Sequence, residues 1–232
     1  MKVLLTKAGT FPAILSLLIA GMLCFFTGCG DDEGDAPGVS SVTRIDGRLE
    51  NGANYNTSID SVKLFFGRDL ARASYSGGSF TLNLPASLPE NTEMNSIENL
   101  FSDGDFKLEF SDKKAQYLTA IVRWEKWESE GDGEDQNSYR SGYGTLRYGN
   151  PERDITATLV YVDRDVTVTG GEFKIDDEGI FAGDVALESV SISFRRGWNF
   201  LFRSSTSSRN MENSKVSTTN PGGVSWYHQN DW

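Results

Sequence analysis

The sequence predicts an all-β fold: an antiparallel β-sandwich, either one extended sandwich or two abutting ones, with at most one short helix. Three observations carry this. Apolar and polar residues alternate with period two through most of the chain beyond residue 40, the pattern of strands that turn one face to a core. Glycine supplies 24 of 232 residues and aromatics 12%, which suits strands and tight turns better than helices. The alternating runs are short and separated by Gly, Asn and Asp, as in sandwiches.

The elements follow in order. In SVKLFFG, Val62, Leu64 and Phe66 share a face; in GGSFTLNLP, Phe80, Leu82 and Leu84 do, and Pro85 ends the strand. LPENTEMNSIENLFSDG (residues 88–104) predicts the one short helix, started near Asn91 with Met94, Ile97, Leu100 and Phe101 as its apolar stripe, or else a long loop. DFKLEF sets Phe106, Leu108 and Phe110 against Lys107 and Glu109, and QYLTAIVRW and DITATLVYV are further strands. Residues 128–142, ESEGDGEDQNSYRSG, are too polar for a core and read as an insertion between strands. DVTVTGG stops at paired glycines. SVSISF then turns through RRG into WNFLFR, which predicts a hairpin with Val190, Ile192 and Phe194 on one strand and Trp198, Phe200 and Phe202 on the other.

Residues 1–28 read as a signal peptide: Lys2 and Lys7 form a positive start, and Phe11 to Phe26 form an apolar run broken by Pro12, Ser16 and Gly21. The run is shorter than the roughly 20 apolar residues of a spanning helix. It ends in Phe26-Thr27-Gly28-Cys29, which resembles the lipobox of bacterial lipoproteins, with Phe26 where Leu or Val is commoner. The resemblance implies cleavage before Cys29, acylation of its thiol and new amine, and anchoring in the outer membrane; several acyl chains on one cysteine hold firmly where one holds marginally. Cys24 follows Leu23 and does not fit. Residues 29–40 then form an acidic tether with Asp31, Asp32, Glu33 and Asp35. Such a tract is too charged to bury. It is also similar to the acidic surface-export tract of Bacteroidota-type lipoproteins, which implies display outward rather than toward the periplasm.

From Cys29 onward 204 residues remain (232 minus 28), enough for one large or two small domains, expected as portions 41–115 and 116–232. The net charge of −11 becomes −13 once the two lysines of the leader are gone, which disfavours nucleic acid as a partner. With Cys29 acylated no disulfide forms, so the fold rests on its hydrophobic core.

The front portion, IDGRLENG…IDSVKLFFGRDLARASYSGGSFTLNLP, resembles transthyretin-like and carboxypeptidase-regulatory-like modules over about 45 residues. The back portion, with VYVDRDVTVTG, RRGWNFLF and the terminal WYHQNDW, is similar to small Bacteroidota lipoproteins that bring an address and a fold but no activity.

Catalytic chemistry finds little purchase. The single histidine, His228, lies near the C-terminus, no serine sits in a G-x-S-x-G setting, and zinc lacks ligands. Asp163 and Asp165 in VDRDV lie i, i+2 on a strand, about 6.5–7 Å apart, which overlaps the separation of an inverting glycosidase pair; in so acidic a chain they read first as a strand-end rim. No catalytic residue is assigned. Calcium is the most plausible ion, on the loop of Glu130, Asp132, Glu134 and Asp135 beside Glu128, without EF-hand spacing.

Aromatic residues are the stronger lead, because indole and phenol rings stack on the C–H faces of sugars. Trp124 and Trp198 fit the core alternation. Trp127, beside the acidic loop, and Tyr139 and Tyr143, flanking glycine-rich turns, are the candidate ligand contacts. The expected function is a lipid-anchored surface binding module for a glycan, or for a protein partner. The alternative is a structural or assembly component of a surface complex or fimbria, with processing at Arg44 or Arg48; a hydrolase is third.

Overall fold

Alternation becomes pairing along the described strands. The computed structural model describes residues 41–55, 57–101, 107–130, 137–170, 173–174, 184–187, 190–208 and 211–229. Among them the strands are β1 (Arg44–Arg48), β2 (Ser61–Phe66), β3 (Arg68–Ser76), β4 (Ser79–Asn83), β5 (Asn95–Ser96), β6 (Leu108–Phe110), β7 (Gln116–Glu130) and β8 (Asn137–Asn150). They continue with β9 (Ile155–Val162), β10 (Val166–Gly170), β11 (Phe173–Lys174), β12 (Asp184–Leu187), β13 (Val190–Phe194), β14 (Gly197–Ser208), β15 (Met211–Ser217) and β16 (Ser225–Gln229). No α-helix occurs among the described residues. The all-β expectation holds: the large sheet runs β1-β4-β3-β2-β7-β8-β9-β14-β15-β12-β11, with β5 paired to β7 and β16 to β8, and β13-β10-β6 form a second sheet. Within the compact unit Gly38–Trp232, β2 pairs with β7 from Ser61↔Glu125 to Phe65↔Ile121, so portions 41–115 and 116–232 share one sheet.

Two cores lie on the two faces of that sheet. The first gathers Val62 and Leu64 of β2, Phe80 and Leu82 of β4, Leu118, Ala120 and Val122 of β7, and Trp198 and Trp226. The second packs Val166 and Val168 of β10 and Val190, Ile192 and Phe194 of β13 against Val160, Val162 and Leu201. Strand β9 serves both: Leu159 and Tyr161 enter the first core, Val160 and Val162 the second. That is why LVYV (residues 159–162) is apolar without a break, since a strand covered on both faces has no solvent side to keep polar. Each such side chain contributes about 1.5–3 kcal/mol by leaving water.

The predicted SVSISF–WNFLFR hairpin does not form. β13 pairs with β10 and β14 with β9, in different sheets. The RRG turn carries the chain from one layer to the other. Its backbone is held from the side: Asn199 Oδ1 accepts the Arg195 N–H at 3.1 Å, Asp165 Oδ1 accepts the Arg196 N–H at 2.6 Å, and Gly197 adopts φ 101°. The apolar faces then go to different cores, Val190, Ile192 and Phe194 to the second, Trp198 to the first.

Residues 88–104 hold no α-helix in their described part. Asn95–Ser96 pair with β7, and only Ile97–Phe101 turn, as a 3-10 helix. The pairing splits the stripe, sending Met94 to the first core and Ile97, Leu100 and Phe101 to the second. In its described part the expected polar insertion at 128–142 is strand: β7 runs to Glu130 and β8 begins at Asn137. Glu128, Ser129, Glu130, Ser138, Tyr139 and Arg140 are all exposed, so this end of the hairpin is polar because neither face meets a core.

Candidate functional site

The β7–β8 hairpin presents two different faces. On the inner one Trp124 pairs directly with Gly144, and a Cβ at 144 would run into the indole. A Cβ at Gly142 would sit 3.2 Å from the same ring. Glycine here lets the indole lie flat across the neighbouring strand, as Phe80 does over its partner Gly47. His228 packs beside it, its ring centroid 5.0 Å from Trp124 at a 37° tilt and 5.0 Å from Tyr55, on which it stacks. The histidine is therefore a packed ring of β16. Its Nδ1 and the Trp124 Nε1 are buried without hydrogen-bond partners.

Alternation sends Arg123, Glu125 and Trp127 to the outer face, where Lys63 and Phe65 of β2 join them. Glu125 is only 6% exposed and Lys63 8%. The Lys63 ammonium bridges Glu125 Oε2 at 2.8 Å and Asp69 at 2.5 Å. Arg72 and Arg140 approach the same carboxylate at 3.6 and 3.5 Å, and the Trp127 Nε1–H donates to it at 3.1 Å. Burial by itself would raise the Glu125 carboxyl, but the hydrogen bonds from Lys63 and Trp127 and the nearby positive charges hold it below the ordinary carboxylate range. For Lys63, burial pulls the ammonium down, and its bonds to Asp69 and Glu125 overcome that and raise it.

A register shift falls between Lys126 and Trp127: Lys126 faces Gly142, but Trp127 faces Arg140. One extra residue on β8 moves Arg140 onto the face of Tyr143, and its guanidinium lies 4.5 Å from the centre of that ring. The Trp127 N–H donates to Asp60 Oδ2 at 2.7 Å, which together with Lys126 Nζ on Oδ1 at 3.1 Å keeps the Asp60 carboxyl below its usual range. Trp127 is thus anchored through both its backbone and its indole nitrogen.

The three sequence candidates are the exposed large aromatics among the described residues: Trp127 39%, Tyr139 46% and Tyr143 59%. They do not form one platform. Trp127 and Tyr143 share the outer face, since each pairs or contacts around Glu125 and Arg140. Tyr139 pairs with Glu128, one residue on from Trp127, and so points to the opposite face, where its hydroxyl donates to Glu128 Oε2 at 3.2 Å.

The remaining candidates separate as well. Cys29 and the calcium candidates Asp132, Glu134 and Asp135 lie outside the described residues; Glu130 is exposed at the end of β7. No group of three or more metal-ligating side chains occurs among the described residues. Asp163 accepts the Gln116 N–H at 2.8 Å and pairs with Arg164, while Asp165 accepts the Arg196 N–H and pairs with Arg195 at 3.0 Å. Each carboxylate therefore ties down a different strand connection. The cavities lie elsewhere: one of about 630 Å³ beside β1, lined mainly by polar groups, and two of about 220 and 210 Å³ that share Phe202 and Asn220.

Sequence reading missed the Lys63–Glu125–Arg72–Arg140 cluster. The signal was present in IVRWEKW, whose Arg123, Glu125 and Trp127 occupy one phase; the cross-strand partners were not visible. No family model, curated protein or solved structure matches the chain.

Proposed function

We propose that this chain is a lipid-anchored binding module of the cell surface, attached through Cys29 to the outer membrane and facing outward, and that it takes a glycan on the outer face of the β7–β8 hairpin. The observation that carries the reading is the pair Trp127 and Tyr143, exposed at neighbouring positions of one face and held there by Glu125, Asp60 and Arg140. Rings fixed before binding lose little entropy when a sugar stacks on them. Tyr139 drops out of the site because it faces the other way. Neither nucleic acid nor a cofactor is needed, and calcium on the 128–135 segment is a variable to control. Binding is preferred to hydrolysis because Asp163 and Asp165 are each engaged in holding a backbone N–H.

The test uses the chain from Cys29 with Cys29→Ser, screened on a panel of polysaccharides and mucin glycans with and without calcium. Binding lost on Trp127→Ala or Tyr143→Ala, with Tm kept, supports the site; no binding to any glycan refutes it.

An assembly role is the second reading, favoured by the stretch Arg44–Arg48 of β1, which carries no strand opposite β4 among the described residues. Thr43 and Leu49 hydrogen-bond on the β4 side, whereas Val42 and Glu50 donate away from it, to Trp198 and Trp226. The intervening even residues Arg44, Asp46 and Arg48 thus turn their backbone groups away from β4, to the side where an added strand would pair. Proteolysis that removes residues 42–49 without unfolding the remainder would favour this role over glycan binding.

A further inference from the structure

The chain as a whole is acidic, with 22 basic and 33 acidic residues. The outer face of β3-β2-β7-β8 reverses that balance. Among the described residues, pairing and alternation place Lys63, Arg72, Arg123 and Arg140 on it, with Asp69 and Glu125 as the carboxylates, an excess of two positive charges. Both carboxylates are already occupied by Lys63.

We propose that this face takes an acidic glycan, one whose sugars carry carboxylates, with Arg72 and Arg140 receiving the carboxylate while Trp127 and Tyr143 stack on the ring. The inference rests on the glycan reading above and names its ligand class. Arg72 and Arg140 have side chains 50% and 47% exposed, yet neither hangs free. Arg72 spends Nε and one terminal nitrogen on Ser61 Oγ, at 3.3 and 3.0 Å, and leaves its other terminal nitrogen available. Arg140 lies over Tyr143 and, among the described residues, makes only the 3.5 Å approach to Glu125. A guanidinium carries five donors in a planar fork that fits a carboxylate edge-on. Glu125 acts here as a positioning residue: buried and shared among cations, it fixes where the arginines sit without itself meeting the ligand. Arg123, 3.9 Å above the Phe65 ring, extends the positive surface along the same face.

The experiment compares ligands that differ only in charge, using the chain from Cys29 with Cys29→Ser. Polygalacturonate is presented before and after methyl esterification, and a mucin before and after removal of its sialic acids. The expected result is at least tenfold tighter binding to the charged form of one pair, weakened by 0.5 M NaCl. Arg72→Gln and Arg140→Gln should each lose about tenfold more affinity for the charged form than for the neutral one, with Tm retained. Lys113→Gln, an equal charge loss at an exposed site paired with Glu98, should change nothing. Equal binding to both members of each pair overturns this inference and leaves the glycan reading standing. No binding to any glycan removes both. Binding to double-stranded DNA as tight as to the charged glycan also overturns it, since a general polyanion surface would then suffice.

Discussion

Glu125→Ala tests the physical core of the site. The substitution leaves the Lys63 ammonium, 10% exposed in its side chain, with Asp69 as its one remaining anion. Removing one partner of a fully buried ion pair costs about 3–5 kcal/mol, most of it the penalty of the orphaned charge. Two features reduce that here. Lys63 keeps Asp69 at 2.5 Å, and Arg72 and Arg140 are half exposed, so water takes over their solvation. The expected loss is about 2–3 kcal/mol, or a fall in Tm of roughly 5–10 °C for a domain of this size. Thermal melts at pH 7 read it. Lys63→Met combined with Glu125→Leu should recover at least half the loss, because no buried charge is then left unpaired. A Tm unchanged within about 1 °C in Glu125→Ala, or a double variant no more stable than the single one, would refute the account of Glu125 as a buried hub.

The same cluster sets a pH dependence. Glu125 is depressed from the ordinary 4.5, so its contribution is complete above that value and is lost as pH falls through the lower folded one; Lys63 is raised from 10.5, so its contribution is complete below 10.5 and is lost as pH rises through the higher folded value. The Tm gap between wild type and Glu125→Gln should therefore be flat from about pH 5 to 10 and narrow on either side, and a gap that widens in acid would contradict the assignment. Gly144→Ala should cost about 2–3 kcal/mol by driving a methyl group into the Trp124 indole, and chemical denaturation should show that Trp124→Leu relieves part of it. Asp165→Ala should lower stability by about 1–2 kcal/mol through the unpaired Arg196 N–H, with hydrogen exchange quickening at the RRG turn; unchanged exchange there would remove Asp165 from its role in the crossover.

Most strands were legible because alternation is a local record of which side chains leave water. Val62 and Leu64, Phe80 and Leu82, and Val190, Ile192 and Phe194 all face cores as their spacing predicts. The exposure of Trp127 was legible for the same reason, since it lies out of phase with Trp124. Which strands pair was not. SVSISF and WNFLFR carry the pattern of a hairpin, but each satisfies its backbone in a different sheet, and the deciding groups, Asp165 and β9, lie about 30 residues away or more. The register shift at Lys126/Trp127 was equally hidden, and it alone puts Arg140 beside Tyr143 and sends Tyr139 to the other side.

The sequence by itself determined the strand-rich class, the apolar phase of strands such as β2, β4 and β13, and the acidic balance. Those are properties of single residues and their near neighbours, written into period and composition. Only the tertiary structure decided that one sheet supports two cores, that a buried carboxylate gathers Lys63, Arg72 and Arg140, and that an acidic chain keeps one basic, aromatic face. Strand partners are chosen by hydrogen bonds and burial summed over distant segments, and no single segment contains that sum.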